Sequence, residues 1–377
     1  VQELLMNRDY QRGNPNTYTC RPFRKRQKLL LFSFVSLLVL FVSACGSDAT
    51  TTTPQQTTTP QRVNGFGAAS NHGHSLIALP NNVLLMATHY GIFRTSNGGE
   101  NWSEVAAGPG QPMETLMTYA LVSSPIDPQR LYVLTQPITN THKGTLGLYT
   151  SANQGQSWQL AFSTEGQNNI FTEAAGNDAA NEVYIYQSED GAQGLKISTD
   201  AGKTFKSTGK LPFPTIHGIL PLPGVPGTLL IYGDNGVARS TDRGATWKTV
   251  AGNFNGSLFY AATAGANTPI YITGDSGVFV SKDEGKTFTQ VNSAFYPGLS
   301  VSPQQPQIVY GKNARGIYRS DDGGHTWKAL PLIKGNLQDL APDPAHANLL
   351  YLSLSYPSQV ERYDQGTQQW SSLTPKA

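Results

Sequence analysis

From about residue 70 onward, short apolar runs alternate with polar turns, and the pattern repeats. The most apolar runs are "VLLMAT", "LYVLTQ", "VYIYQS", "LLIYGD", "IYITGD", "IVYGKN" and "LLYLSL". Runs of this length between turn signals predict buried strands. Each of the first six is followed by a strand that opens on glycine: "GIFRT", "GLYTS", "GLKIS", "GVARS", "GVFVS" and "GIYRS". A looser strand precedes each pair, as in "HSLIALP", "YALVSSP" and "LSVSP". One unit is therefore strand, strand, strand, polar turn, strand. Seven units fill roughly residues 70–374.

The polar turn is an octapeptide, Ser-x-Asp-x-Gly-x-Thr-Trp, with near substitutes. It occurs as TSNGGENW (Asn97, Trp102), SANQGQSW (Asn153, Trp158), STDAGKTF (Asp200, Phe205), STDRGATW (Asp242, Trp247), SKDEGKTF (Asp283, Phe288) and SDDGGHTW (Asp322, Trp327). A degraded seventh copy, "YDQGTQQW", keeps only Trp370 in place. The last positions lie 56, 47, 42, 41, 39 and 43 residues apart. Such a period with strand-like content predicts an all-β fold, a seven-bladed β-propeller of four-stranded antiparallel blades. The motif belongs in the turn between strands 3 and 4. Its Asp or Asn accepts backbone N–H groups, its glycine takes a backbone geometry that other residues resist, and its aromatic ring packs on the blade. Six copies around a ring cannot converge on one substrate, so the reading is architectural. A calcium loop does not fit, because the 12-residue spacing with a final Glu is absent.

The repeats resemble the Asp-box (BNR) family. That family includes sialidases, sortilin-type receptors, some two-propeller glucanases and propeller-type photosystem assembly factors. The resemblance covers residues 63–377 and implies a fold. It does not imply one activity, because propellers host unrelated functions. Sialidases clamp a substrate carboxylate with three arginines, the first in an Arg-Ile-Pro motif. Here the matching region reads "HSLIALP", and only eight arginines follow Cys45. Arg94, Arg239 and Arg319 precede boxes at equivalent positions, as repeat residues do. This argues against sialidase chemistry.

Ahead of the repeats, "RPFRKRQK" precedes a 16-residue apolar run, Leu29–Ala44, which ends at Cys45. A spanning helix needs about 20 apolar residues. Residues 1–44 therefore read as a signal peptide, and Val42-Ser43-Ala44-Cys45 resembles a bacterial lipoprotein processing site. Residues 45–62 form a Thr/Pro/Gln-rich tether that has too few apolar groups to build a core. The expected location is extracytoplasmic, with lipid on Cys45 holding the protein to the membrane. The other cysteine, Cys20, lies upstream, so no disulfide is expected in the body. The formal charge of +2 comes from the leader. Setting aside the seven basic and two acidic residues before Cys45 leaves 20 basic against 23 acidic side chains. That balance carries no nucleic-acid footprint.

In an up-and-down blade the 3–4 turns share a face with the 1–2 turns, so function is expected on the opposite, top face. There strand direction places His72, His74 and His89 at one end of blade 1, and His217 at the equivalent entry to blade 4. These four histidines are the candidate ligand-binding residues. "NHGHSLIAL" with "ATHYGIF" also resembles a pattern in bacterial propellers labelled glycosyl hydrolases. Imidazoles at the mouth would weaken a ligand between about pH 7 and pH 5, if neutral rings are used. No metal or other cofactor is expected, since no acidic or cysteine partner has diagnostic spacing. Asp234 and Asp275 occupy matching slots in "GDNGV" and "GDSGV", which favours turn formation over a catalytic pair.

The sequence leaves open whether the chain is an enzyme. The first expectation is a monomeric, lipid-anchored binding or scaffold propeller, with a carbohydrate or protein partner at the channel mouth. The alternatives are a glycoside hydrolase and an assembly factor for a membrane complex. The leader reading has a direct test. Mass spectrometry of membrane-extracted protein is expected to find acylated Cys45 as the first residue, and a mature chain that keeps Leu29–Ala44 would refute it.

Overall fold

The computed structural model describes residues 65–167 and 169–374. The leader, the tether and Cys45 lie outside these residues. Seven four-stranded antiparallel sheets follow one another along the chain, each in simple sequential order. They span Gly73–Ala106, Leu116–Ser163, Thr172–Ser207, Gly218–Thr249, Leu258–Asn292, Gly298–Ala329 and Leu337–Ser372, here blades 1 to 7. A 3₁₀ turn, Ser188–Gln193, replaces a tight hairpin on top of blade 3. The seven-bladed propeller is as the period predicts.

The apolar runs are the second strands, and the reason they do not alternate is positional. A middle strand has a neighbouring blade against both faces, so every side chain is covered. Val83–Thr88, Val183–Tyr186, Leu229–Gly233 and Ile270–Gly274 are buried throughout. The outer strands Lys206–Ser207 and Lys248–Thr249 are exposed throughout. The buried side chains described form seven clusters, one in each seam between successive blades, including the seam between blades 7 and 1.

The boxes hold these seams. In blade 4, Ser240 Oγ donates to Asp242 Oδ1 at 2.7 Å and accepts the Gly244 N–H at 2.8 Å. Asp242 in turn accepts the Thr246 N–H at 2.8 Å and its hydroxyl at 2.6 Å. The same arrangement surrounds Asp200, Asp283 and Asp322. Asn97 and Asn153 reproduce its core. The Thr204 hydroxyl and amide hold the Asp200 carboxyl down at about 2. The buried Ser is thus the hub, and the exposed Asp is the clip. The residue before the glycine also takes a left-handed conformation, as at Arg243 (φ 57°) and Glu284 (φ 59°).

The box glycine is required by close approach as well as by its φ. A Cβ on Gly155 would lie 2.2 Å from Leu85 of blade 1, and one on Gly285 would lie 2.8 Å from Leu230 of blade 4. One on Gly99 would lie 2.8 Å from Leu373, just beyond blade 7. Each box therefore lies flat on the preceding blade. The arginine before a box completes the join from the other side. Arg94 Nε donates to Gln154 O of the next blade's box at 2.9 Å, and Arg239 Nε to Glu284 O at 2.8 Å. Blade 7 has no box, and Arg319 turns back to Asp321 Oδ1 at 2.7 Å and to Tyr310 OH at 3.1 Å.

The ring closes without exchanging a strand. Leu76 N–H donates to Asp339 Oδ2 at 3.0 Å, and Trp102 Nε1 donates to Leu373 O at 2.8 Å. Phe66 packs on Phe93 and Trp102 at this seam. The box aromatics are not equally covered. Trp158 is 3% exposed and bonds Gly155 O. Trp247 is half-buried and its Nε1 has no partner among the described residues.

One buried group works against the fold. Glu173 lies in the seam between blades 2 and 3, 6% exposed, and neither carboxylate oxygen has a hydrogen-bond partner among the described residues. Burial raises its pKa well above 4.5, so the folded state favours the neutral acid.

Ser240→Ala leaves the buried Gly244 amide without its acceptor and should cost about 1–3 kcal/mol. Trp158→Ala should cost about 3–5 kcal/mol, and Trp247→Ala less, as read by denaturant titration. For Glu173, unfolding above pH 4.5 releases a proton, so stability falls as pH rises from 4.5 toward the raised native value. Glu173→Gln should remove that slope and be more stable than wild type at pH 8, with the difference shrinking toward pH 5. An unchanged slope would assign the pH dependence elsewhere.

Candidate functional site

The top face is built from the 2–3 turns and the entries to the inner strands. At the edge of blade 1, His72 and His74 flank Gly73, the first residue of the inner strand. Positions i and i+2 of a strand face the same side. A Cβ on Gly73 would lie 2.2 Å from Met86 Cε and 3.1 Å from Leu354 O of blade 7, so the strand between the two histidines runs close to its neighbours. The register with the second strand slips between Gly73 and Ser75, which leaves His74 on a bulge that re-aims its ring. The third histidine arrives because His89 N–H donates to His72 O at 2.9 Å across the hairpin.

The rings then stack. His72 lies 4.5 Å from His89 and 4.6 Å from Tyr356 of blade 7, nearly parallel to both, and meets His74 edge-on at 4.5 Å. One nitrogen from each histidine lies within 4.8 Å of the others. His74 Nε2 is buried with no hydrogen-bond partner among the described residues. Burial, then the neighbouring His72 and His89, hold the His74 pKa down at about 3. The ordinary imidazole range used for the sequence therefore does not apply to this ring, which is neutral at pH 5 as at pH 7.

His217 does not join them. It stands on blade 4, where Nδ1 faces Leu258 O at 2.8 Å and Nε2 lies 3.4 Å from Asp234 Oδ1. A second constellation forms there. Ser257, entering blade 5, donates its hydroxyl to Asp234 Oδ1 at 2.5 Å and its amide to Asp275 Oδ2 at 2.9 Å. Asp234 and Asp275 do occupy tight 2–3 turns, as their Asp-x-Gly slots predict. Their equivalence in adjacent blades also brings both carboxylates to one serine. Joined through it, their oxygens are no more than about 9 Å apart, below the upper limit of about 9.5 Å for the paired carboxyl groups of glycoside hydrolysis. Beside them runs a row of rings, with His217 stacked on Phe259 and Phe259 edge-on to Phe295. The sequence signal for this pair was present in the repeated "GD". The serine that couples them was not visible, because it lies outside either motif.

Between the two constellations opens the channel. Tyr260, Lys312 and Asp339 stand on blades 5, 6 and 7, and Tyr260 is 42% exposed. Burial lowers the Lys312 pKa and raises that of Asp339, while their mutual attraction opposes both shifts. Tyr119 is buried and donates to Ile170 O at 3.0 Å. A concavity of about 380 Å³ lies on the box face, between Leu222 and Lys286.

Comparison with known proteins finds similar propellers. The family described as "Sortilin, neurotensin receptor 3" matches residues 235–332. A xyloglucanase of Acetivibrio thermocellus, Xgh74A, is 26% identical over 268 residues, covering 56% of this chain and 32% of that protein. The chain thus spans about a third of the length of this curated relative. Among solved structures, the GH74 xyloglucanase of Xanthomonas campestris superposes with a TM-score of 0.63 at 17% identity, covering 81% of this chain and 55% of that one. YCF48 bound to D1 peptide gives 0.56 at 12% identity, covering 78% of this chain and 94% of that one. The two superpositions share the fold.

Proposed function

We propose that this Asp-box β-propeller is an extracytoplasmic, polysaccharide-directed protein of the glycoside hydrolase type, acting on a β-glucan such as xyloglucan across its top face. The observation that carries the reading is the Asp234–Ser257–Asp275 arrangement beside the Phe259–Phe295 row. Sugar rings present apolar C–H faces to aromatic side chains and hydroxyls to carboxylates, and this strip offers both. Similarity to a xyloglucanase over 268 residues supports the substrate class and an extracytoplasmic location.

Asp234 and Asp275, both held by Ser257, are the two carboxyl groups that would serve as general acid and general base. Asp234 is exposed and close to His217. Ser257 fixes their spacing. Lipid on Cys45 would keep the propeller at the membrane surface, where polymeric substrate reaches it from outside.

A second reading is a protein-binding scaffold. The fold shared with YCF48, whose solved structure carries a D1 peptide, favours a propeller that captures a peptide.

Reducing-end release and affinity electrophoresis on xyloglucan separate the readings. Wild type is expected to cleave. Asp234→Asn and Asp275→Asn should each lower turnover at least about 100-fold, the lower end of general acid–base effects, while still binding. Binding without cleavage would reduce the protein to a glycan-binding propeller. Neither binding nor cleavage across a panel of β-glucans would overturn the polysaccharide reading and leave the scaffold.

A further inference from the structure

We propose that His72, His74 and His89 form a three-imidazole site for a divalent transition-metal ion of the Zn²⁺ class, set on the top of blade 1 at the seam with blade 7. The inference is independent of the glycan site. It rests on convergence: three ring nitrogens from an inner strand and its hairpin partner lie within 4.8 Å of one another. Sequence spacing hides the set, because two ligands are two residues apart while the third lies one strand away.

The chemistry of the donors fits such an ion. Imidazole suits Zn²⁺, Ni²⁺ and Cu²⁺, and three histidines with an open fourth position are a recurrent zinc coordination. Hard cations such as Ca²⁺ need oxygen ligands, and none of the three residues offers one from its side chain. His74 contributes a nitrogen that is already stripped of water and has no hydrogen-bond partner among the described residues.

The backbone holds the set with little freedom. The His89 N–H to His72 O bond ties two ligands, and the bulge fixes the third. Gly73 N–H donates to Ser355 O of blade 7 at 3.0 Å, so the pair His72–His74 is anchored across the seam as well. With metal–nitrogen bonds of about 2.0–2.1 Å in tetrahedral geometry, nitrogens stand about 3.3 Å apart. Capture therefore turns the His72 and His89 rings out of their present stack until the three nitrogens close on one point. His74 stays in place on its bulge. The fourth position would take water or an oxygen donor of a ligand.

The test uses the full chain without a polyhistidine tag, stripped with chelator and titrated with Zn²⁺ by calorimetry. Cobalt substitution follows, read by visible d–d absorption. One ion per chain is expected, with a tetrahedral cobalt spectrum and a melting temperature raised by Zn²⁺. His72→Ala and His89→Ala should each weaken binding at least tenfold and abolish the spectrum, and His217→Ala should change neither. His89→Gln, which keeps side-chain bulk, serves as the second variant, and metal-free melts identify any variant that has lost its fold. Binding that survives in these variants, or a wild type that retains no ion after dialysis, would overturn the proposal.

Discussion

A glycine with no room for a β-carbon, pressed against the blade before it, is the constraint on which this molecule depends. Gly155 on Leu85 and Gly285 on Leu230 set how closely successive sheets approach. That approach decides whether the middle strands are covered on both faces, and so whether the seven seam cores exist. The serine hub exists to hold the glycine there. Its hydroxyl satisfies the glycine amide, the carboxylate clip holds the serine, and the threonine holds the clip. The arginine of the preceding blade then meets the left-handed residue's carbonyl from outside. The repeat unit of stability is accordingly the join between blades and not the blade itself.

This arrangement divides the two faces by the freedom left to their residues. On the box face the same few side chains recur because each closes the same seam. On the top face no single motif recurs around the ring. His89-Tyr90, Asp234-Asn235 and Ala314-Arg315 occupy equivalent turns with unrelated side chains, and only Asp275-Ser276 repeats the Asp of its neighbour. The two constellations stand on separate blades with the Lys312–Asp339 pair between them in the channel. Chemistry accumulates where the fold makes no demand.

The fold was legible because its signal is periodic. Strand order, blade number and box position could be read from "GIFRT…NW" and its copies, since each unit repeats the same local physics. What could not be read depends on neighbours in space. The left-handed conformation of Arg243 is imposed by the box and leaves no mark at a position that also holds Gln154, Ala201 and Glu284. The Arg94–Gln154 join needs the next blade to be known. The coverage of Trp158 against that of Trp247 depends on the preceding blade rather than on the shared motif. His217 looked equivalent to His74 by strand position. Only His74 sits on a bulge beside two further rings, while His217 meets a carboxylate.

The closure between blades 7 and 1 sets the order in which such a molecule can assemble. Six joins connect blades that are adjacent in sequence, and their contacts are local. The last connects Trp102 to Leu373 and Leu76 to Asp339, across sequence separations of 271 and 263 residues. Closing a loop of that size costs about 5 kcal/mol of chain entropy, about 1.5 kcal/mol more than a 45-residue step. High contact order of this kind slows folding, so the open hoop, with an unmatched apolar flank at each end, is the species that the cell must protect. The same clasp brings the first and last described segments to one tryptophan. New chain ends could be cut between any two other blades and the old ones joined beside Trp102. Such a circular permutant would exchange the one long-range closure for another and keep every seam.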